Sequence, residues 1–329
     1  MNDATRYIDD LVARLAQRMY GNEAVLRRLA MCRIARGHAL LQGPPGVGKT
    51  LLARSFAEAL GGTFRRVQGT PDLLPTDLSG VNVFRPDGSM FEFQPGPLFT
   101  DVLLMDEVNR TGPKTQSALL EAMEERQVSV DGVTRPLAAD FVVIATQNPL
   151  EYEGTYPLPE SQIDRFLVRL NLSYAPRDAE ADVLLRYATP EDQRSSAIDA
   201  LADEAAMLGA ARAAVTATRV DRRLVDYVLD LCDATRRSEE LQLGLSTRAA
   251  RAWLLLARVE AAAQGFDFVR ADDVQAVATV VAEHRMVLAP EATLAGRTAS
   301  EVLDVAIAQI PVPRLEGTLD PASPVPGDS

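Results

Sequence analysis

Apolar positions follow two different patterns along the chain, and the pattern changes near Pro176. Before that point, short apolar runs bounded by turn residues predict strands. These runs lie at 38–41, 64–67, 102–105 and 141–145. Between them, apolar residues at three- and four-residue steps predict helices at 5–19, 23–36 and 116–125. Strands that alternate with helices and end in polar residues predict an α/β fold with an open parallel sheet. A ligand is expected at the edge of the sheet where these strands end.

The second part of the chain shows only the helical period. Residues 177–310 are rich in alanine and leucine and predict a helical domain. Its clearest amphipathic segments are 183–187, 205–215, 224–232, 248–263 and 273–282. The last stretch, 311–329, is rich in Pro, Gly and Ser and predicts a flexible tail. We therefore expect a core at 1–176, a helical domain at 177–310 and a tail at 311–329.

Two hairpins are predicted within the core. In residues 81–94, apolar residues alternate on either side of Pro86-Asp87-Gly88, a strong turn signal. In residues 127–137, Asp131-Gly132 separates two short strand-like runs. They are either ordinary edge strands or projecting loops that touch a partner or substrate.

A glycine-rich turn follows the first predicted strand and leads into a helix. Gly43, Gly48, Lys49 and Thr50 fit the P-loop pattern G-x-x-x-x-G-K-[ST]. Glycine lets the backbone N–H groups wrap around phosphate oxygens, and the following helix points its positive end at the same anion. Lys49 should reach the β- and γ-phosphates, and the Thr50 hydroxyl should bind Mg²⁺. The predicted nucleotide-binding residues are Gly43, Pro44, Pro45, Gly46, Val47, Gly48, Lys49, Thr50 and Leu51.

The alternative is a plain strand-to-helix turn with a solvated lysine. Lys49 and Lys114 are the only lysines in the chain, whereas Lys and Arg together number 34. A lysine at this motif position by accident is therefore improbable, and the context favours nucleotide binding.

An acidic pair, Asp106-Glu107, follows the apolar run at 102–105 as a Walker B element would. Hydrolysis of a nucleotide needs one carboxylate near Mg²⁺ and a second group to orient or deprotonate water. We assign these roles to Asp106 and Glu107 respectively. A helix N-cap would give the same letters, but the position after a P-loop favours the catalytic pair.

Three further polar residues are ambiguous on sequence alone. Asn148 lies in the polar stretch 146–149 at which the strand at 141–145 terminates. It could reach the γ-phosphate or the attacking water, or could be a turn residue before Pro149. Arg165 could be catalytic or part of a surface salt bridge. Arg248 follows Ser246-Thr247, which resembles a helix N-cap, and is equally ambiguous.

Composition narrows the possible environments and partners. The net charge of −12 and a pI near 4.8 argue against non-specific binding to nucleic acid or an anionic membrane. Cys32 and Cys232 are expected to be reduced core residues, and with only two histidines a zinc site is improbable. No stretch of 18 apolar residues occurs, so we expect a cytoplasmic protein without stable membrane insertion.

Six sequence blocks in order resemble the MoxR family of AAA+ ATPases. They are GPPGVGKT, LLMDEVNR, TGPKTQSALLEAMEERQVSV, FVVIATQNP, GTYPLPESQIDRF and GLSTRAARAW. The resemblance extends from about Tyr20 to Met286. It implies a P-loop AAA+ core of αβα layers followed by an α-helical lid, assembled as a homo-oligomer, typically a hexameric ring with ATP between subunits.

The resemblance also implies roles for single residues. Lys49 and Thr50 correspond to Walker A, Asp106 and Glu107 to Walker B, and Asn148 to sensor 1. Arg165 falls at the arginine finger and Arg248 at sensor 2. The hairpins resemble the helix-2 and pre-sensor-1 insertions of the wider group that includes magnesium chelatase subunits. The family's usual Gly-Gln near the adenine pocket is Gly21-Asn22 here.

The function implied is Mg²⁺-dependent ATP hydrolysis that remodels, matures or activates a client protein, often with a von Willebrand factor A domain partner. A nucleotide-gated scaffold without turnover is the first alternative, although the residues that hydrolysis requires are present. A DNA-handling motor is the second alternative, and the acidic composition argues against it.

Overall fold

The computed structural model describes residues 2–86, 90–147, 156, 158–187 and 198–313. The strands in these residues are β1 (Ala39–Gln42), β2 (Phe64–Gln68), β3 (Gly80–Arg85), β4 (Met90–Pro95), β5 (Val102–Asp106), β6 (Gln127–Val130), β7 (Val133–Pro136), β8 (Val142–Gln147), β9 (Val168–Asn171), β10 (Leu241–Leu243) and β11 (Val287–Leu288). The helices are α1 (Asp3–Leu15), α2 (Glu23–Ile34), α3 (Lys49–Ala59), α4 (Pro75–Ser79), α5 (Pro113–Glu125), α6 (Glu160–Ile163), α7 (Arg177–Tyr187), α8 (Glu204–Ala217), α9 (Arg222–Arg237), α10 (Thr247–Ala263), α11 (Ala271–Ala276), α12 (Ala278–Ala282), α13 (Pro290–Leu294) and α14 (Ala299–Gln309).

A five-stranded parallel sheet in the order β2-β5-β8-β1-β9 forms the centre of the fold. Every residue of β5 is buried, as expected for a strand covered on both faces. Val102 and Leu104 belong to one apolar cluster and Leu103 and Met105 to another, because successive side chains of a strand point to opposite faces. The predicted α/β class and open parallel sheet are confirmed.

Some elements differ from the predictions. The edge strand β9 was not predicted, and neither were the short antiparallel pair β10–β11 nor the helices α13 and α14. The helix predicted at 273–282 is split into α11 and α12, because Val277 leaves helical geometry with φ −107° and ψ 0°. Among the helices of the described residues, none combines the length and apolar character that crossing a membrane requires.

Helices after the sheet pack against the amino-terminal helices. The helix α1 contacts both α8 and α10, and one apolar cluster contains Leu11 of α1 together with Leu208 of α8 and Trp253 of α10. Packing therefore crosses residue 176, where the domain boundary was predicted. The division into two domains stays a prediction.

A buried ion pair also joins these helices. Arg33 of α2 donates a hydrogen bond to Glu204 of α8 (Nη2–Oε1 3.2 Å), and Tyr7 of α1 donates to the same carboxylate at 2.8 Å. Arg33 also donates to the backbone carbonyl of Asp140. Removing one partner of such a pair leaves a buried charge uncompensated, so the network favours this arrangement of α1, α2 and α8.

Both predicted hairpins are present and touch each other. In the second, Asp131 and Gly132 have φ of +52° and +79°, which the two central residues of a type I′ turn require. Asn82 of β3 donates to Asp131 at 2.6 Å. The Arg135 guanidinium lies 3.9 Å from the ring centroid of Phe93, a cation–π contact.

Some predictions concern residues outside those that the structure describes. They are the turn residues Asp87 and Gly88, the candidate Asn148 and most of the predicted tail, residues 314–329.

His38, which precedes β1, is buried in a fixed tautomer. The backbone N–H of Val143 donates to its Nδ1 at 2.9 Å, so the hydrogen is on Nε2, which donates to the Met123 carbonyl at 3.1 Å. Burial, and then the charge of Arg126, lowers the pKa of His38 to about 4. His284 is also buried, and burial with the neighbouring Arg285 charge lowers its pKa well below the usual value. Both histidines are therefore neutral in the folded protein near neutral pH.

These histidines predict a loss of stability in mild acid. A histidine in the unfolded chain binds a proton at about pH 6.5, whereas the two folded histidines stay neutral. The stability that depends on their neutral form is therefore complete above that pH and is lost as the pH falls. The free energy of unfolding should fall by about 1.4 kcal/mol per pH unit for each histidine between about pH 6 and about pH 5. Urea denaturation across this range measures the slope. His38→Gln should reduce the slope by about half, and an unchanged slope would show that His38 does not cause it.

Candidate functional site

The P-loop connects β1 to α3 at the carboxyl edge of the sheet. Gly48 caps the amino terminus of α3 with φ +91°, and Gly46 has φ +84°, so both adopt a backbone that side chains disfavour. Gly43 has a different constraint, because a β-carbon there would lie 2.4 Å from the Leu172 carbonyl oxygen. The sequence therefore forms a tight loop that directs α3, with its positive amino end, toward one cleft.

Lys49 begins α3 and folds back over the loop. Its ammonium donates to the carbonyl oxygens of Gly43 (2.7 Å) and Pro44 (3.4 Å). A phosphate oxygen carries a full charge and is a stronger acceptor than these carbonyls. The lysine is therefore placed where it can exchange its carbonyl contacts for a bound phosphate.

The acidic pair lies at the end of β5, between β2 and β8. The Thr146 hydroxyl donates to Asp106 Oδ1 at 2.6 Å and accepts the backbone N–H of Glu107 at 2.8 Å. Glu107 has φ +55°, which turns the chain sharply after the strand. Its carboxylate accepts hydrogen bonds from Gln68 (2.7 Å) and Arg110 (3.2 Å). Asp106 and Glu107 are thus oriented separately although they are adjacent in sequence.

One cleft of about 360 Å³ brings the P-loop and the acidic pair together. It is lined by Pro45, Gly46, Gly48, Lys49, Thr50, Leu51, Asp106 and Glu107. All eight residues were predicted from the sequence as nucleotide, metal or catalytic residues. The ammonium and the helix amino terminus in this cleft suit a phosphate. The hydroxyl and the two carboxylates suit a divalent cation bound to that phosphate.

A second cleft of about 340 Å³ adjoins the first and shares Gly46, Gly48 and Leu51 with it. Its walls include Met19, Tyr20, Val47 and Tyr174, which give it an apolar and aromatic character suited to a nucleobase. The Asn22 amide donates to the Tyr20 carbonyl at 3.2 Å. Tyr20 and Tyr174 were not predicted as site residues, because they are far apart in the sequence and belong to no motif.

Arg165 and Arg248 lie together, away from the P-loop. Arg248 in the first turn of α10 donates to Glu124 at 2.6 Å, and Arg165 forms a 3.3 Å ion pair with the same carboxylate. Arg165 precedes β9, and β9 runs parallel to β1 with Val168 opposite Ala39. The two arginines are therefore at the amino edge of the sheet and the P-loop at its carboxyl edge, about 15 Å apart along the strands.

The sequence analysis also missed three polar residues around the acidic pair: Arg66, Gln68 and Thr146. Arg66 donates two hydrogen bonds to Asp106, and Gln68 donates to Glu107. Arg66 and Gln68 are two residues apart on β2, so their side chains lie on the same face of the strand. This spacing is the sequence signal that could have indicated that both contact the acidic pair.

Comparisons with known proteins identify the family to which the chain belongs. The model of the ATPase family associated with various cellular activities (AAA) matches residues 38–168, and the AAA lid domain model matches residues 233–305. The chain is 43% identical to the uncharacterized protein YeaC of Bacillus subtilis, over 85% of this chain and 87% of that protein. It is 39% identical to Chaperone MoxR1 of Mycobacterium tuberculosis, over 86% of this chain and 76% of that protein. The chain belongs to the MoxR family of AAA+ ATPases.

The fold agrees with this assignment. A crystal structure of a putative ATPase from Cytophaga hutchinsonii superposes with a TM-score of 0.84 and 32% sequence identity, over 95% of this chain and 97% of that one. The matched AAA region contains the P-loop, Asp106, Glu107 and Arg165, and the matched lid region contains Arg248. Family membership therefore supports nucleotide binding by this MoxR-family chain.

The two lysines offer a matched test of the P-loop. Lys49→Ala should weaken ATP binding about tenfold to a hundredfold, because it removes hydrogen bonds to charged phosphate oxygens. Lys114→Ala, at an exposed position in α5, should bind ATP as the unsubstituted protein does. Isothermal titration calorimetry measures both affinities. Equal affinity of the two folded variants would contradict the P-loop assignment.

Proposed function

We propose that this MoxR-family chain hydrolyses ATP in a Mg²⁺-dependent reaction and uses the cycle for chaperone-like remodelling of a client protein. The observation that carries the proposal is the single cleft that contains Lys49 and Thr50 together with Asp106 and Glu107. A nucleotide-binding loop alone would suit a switch or a scaffold. A second carboxylate beside the metal-binding one is what hydrolysis adds.

Thr50 and Asp106 are the residues that would hold Mg²⁺. Both offer oxygen atoms, which Mg²⁺ prefers, and Mg²⁺ is commonly held by one or two carboxylates together with substrate phosphates. When bound, Mg²⁺ would neutralise charge on the β- and γ-phosphates. The donor set in the cleft fits this ion.

Glu107 would take the proton of the attacking water. Its carboxylate is held by Gln68 and Arg110, so it is oriented independently of Asp106. Asn148, which follows Gln147 in the sequence and lies outside the described residues, would help to orient the water, as the resemblance implies.

Arg165 and Arg248 would act on the nucleotide of a neighbouring subunit. Both are at the opposite edge of the sheet from their own P-loop, and both pair with Glu124 of their own chain. A guanidinium placed against the γ-phosphate from a neighbour stabilises the transition-state charge. We therefore propose a homo-oligomer, a hexameric ring, with ATP between subunits.

The proposals about the client and the partner rest on family membership. The name of the relative Chaperone MoxR1 supports a chaperone-like role. We further propose a von Willebrand factor A domain protein as partner and a cytoplasmic location, where ATP is available. The net charge of −12 argues against a DNA-handling motor.

Glu107→Gln separates binding from turnover. The amide keeps the shape but cannot accept the proton, so ATP affinity should stay within about threefold while turnover falls by about a hundredfold or more. Glu291→Gln, at an exposed position in α13, is the control and should keep both. Calorimetry and a phosphate-release assay measure the two quantities. Near-normal turnover in Glu107→Gln would show that another residue is the base, and no turnover in the unsubstituted protein would favour the nucleotide-gated scaffold.

Mixing two inactive variants tests the shared site. Arg165→Ala should bind ATP but hydrolyse it about a thousandfold more slowly, because it lacks the charge that stabilises the transition state. Mixed with Lys49→Ala, it should regain part of its activity after subunit exchange, since some intact P-loops then face intact Arg165 side chains. Arg222→Ala, whose side chain is 81% exposed, is the control and should stay active.

Native mass spectrometry should confirm that mixed oligomers form. Mixed oligomers without recovered activity would show that Arg165 acts within its own subunit or does not act in hydrolysis.

A further inference from the structure

Arg66 donates hydrogen bonds to one oxygen of Asp106, the carboxylate that is proposed to bind Mg²⁺. It lies on β2, the edge strand of the sheet, beside β5. Its guanidinium donates to Asp106 Oδ2 twice, from Nη2 at 2.7 Å and from Nε at 3.2 Å. Both bonds go to one oxygen, so the side chain satisfies Oδ2 fully.

The other carboxylate oxygen of Asp106 has a fixed partner of its own. The Thr146 hydroxyl directs its hydrogen to Asp106 Oδ1, because a carboxylate oxygen accepts, and its own oxygen accepts the Glu107 N–H. Oδ1 keeps one acceptor site and Oδ2 keeps none. A divalent cation at Asp106 would also lie close to the Arg66 guanidinium, and like charges at such short range repel.

Arg66 is able to leave. Its side chain is 48% exposed, although Asp106 is 12% exposed. It also donates a hydrogen bond to Gln68 Oε1 at 3.0 Å on the same strand. An edge strand leaves one side of the chain open to solvent, so the guanidinium can turn into water without unpacking the core.

We propose that Arg66 and Mg²⁺ compete for Asp106, so that Arg66 raises the concentration of Mg²⁺ needed for the metal–nucleotide complex to bind in the cleft. This inference rests on the proposed Mg²⁺–ATP site. Arg66 compensates the carboxylate charge when no metal is bound and is displaced when the metal binds. It is a positioning residue, because it acts on the metal through Asp106.

The sign of the effect distinguishes this role from a supporting one. If Arg66 competes with Mg²⁺, removing its charge makes Mg²⁺ bind more tightly. If Arg66 only holds Asp106 in place for the metal, removing it makes Mg²⁺ bind more weakly. If it only ties β2 to β5, thermal stability changes and the Mg²⁺ requirement does not.

Arg65 provides the matched control. It is the neighbouring residue on β2, it is the same residue type, and it is exposed. Its side chain points to the opposite face of the strand, because side chains alternate along a strand. Arg65→Gln therefore changes net charge by the same amount without touching Asp106.

The experiment titrates MgCl₂ into the full chain with a fluorescent non-hydrolysable ATP analogue and measures the half-saturating Mg²⁺ concentration. For Arg66→Gln this concentration should fall about two- to fivefold, the range expected for a half-exposed ion pair. Arg66→Met should behave alike, Arg66→Lys should return toward the original value because it restores the charge, and Arg65→Gln should match the original protein. Melting curves without Mg²⁺ confirm that each variant is folded.

The outcomes separate the two proposals. If Mg²⁺ does not alter analogue binding by the original protein, the proposed Mg²⁺–nucleotide site is wrong. If Mg²⁺ does alter it, but both neutral Arg66 variants need as much Mg²⁺ as the original protein or more, the competition is wrong and the site stands.

Discussion

The parallel alignment of five strands is the constraint on which the rest of the structure depends. Because β1, β2, β5 and β8 run in the same direction, their carboxyl ends meet at one edge of the sheet. The P-loop, the acidic pair and Thr146 all lie at that edge, although they are far apart in sequence. The same alignment places residues that precede a strand, such as His38 and Arg165, at the opposite edge. Strand direction therefore decides which polar residues can act together within one chain.

Local signals were sufficient to predict the P-loop, the acidic pair and both hairpins. Each depends on a few consecutive residues whose types are needed for a particular turn, such as Asp131-Gly132 with positive φ at both positions. The four-residue β9 was missed because it follows the turn of α6 closely and, unlike the equally short β1, does not lead into a recognisable motif. Arg66 and Thr146 were missed for a different reason. Their contacts with Asp106 run between neighbouring strands, and a single sequence does not show which strands are neighbours.

Charge is distributed in a way that suits a site completed by a second subunit. On one edge, the cleft proposed for the phosphates is lined by Lys49 as its basic residue and by Asp106 and Glu107 as its carboxylates. On the other edge, a cleft of about 410 Å³ is lined by Arg36, Arg126, Arg165, Arg248, Arg251 and Arg285, with Glu124 and Asp164 as its carboxylates. Within one chain, Glu124 compensates Arg165 and Arg248. In the proposed ring, a subunit that presents these arginines to a neighbour's phosphates would exchange Glu124 for an external partner, so Glu124 would couple assembly to ligand binding.

The contact between the two hairpins has a mechanical consequence. The first hairpin, β3–β4, follows α4 and β2 in the chain, and the second, β6–β7, follows α5 directly. The bond between Asn82 and Asp131 and the stacking of Arg135 on Phe93 tie the hairpins side by side. A pulling force applied to either hairpin is therefore divided between two anchor points, one after α4 and one after α5. Such a pair transmits tension to the body of the subunit more stiffly than a single hairpin, which would bend at its base.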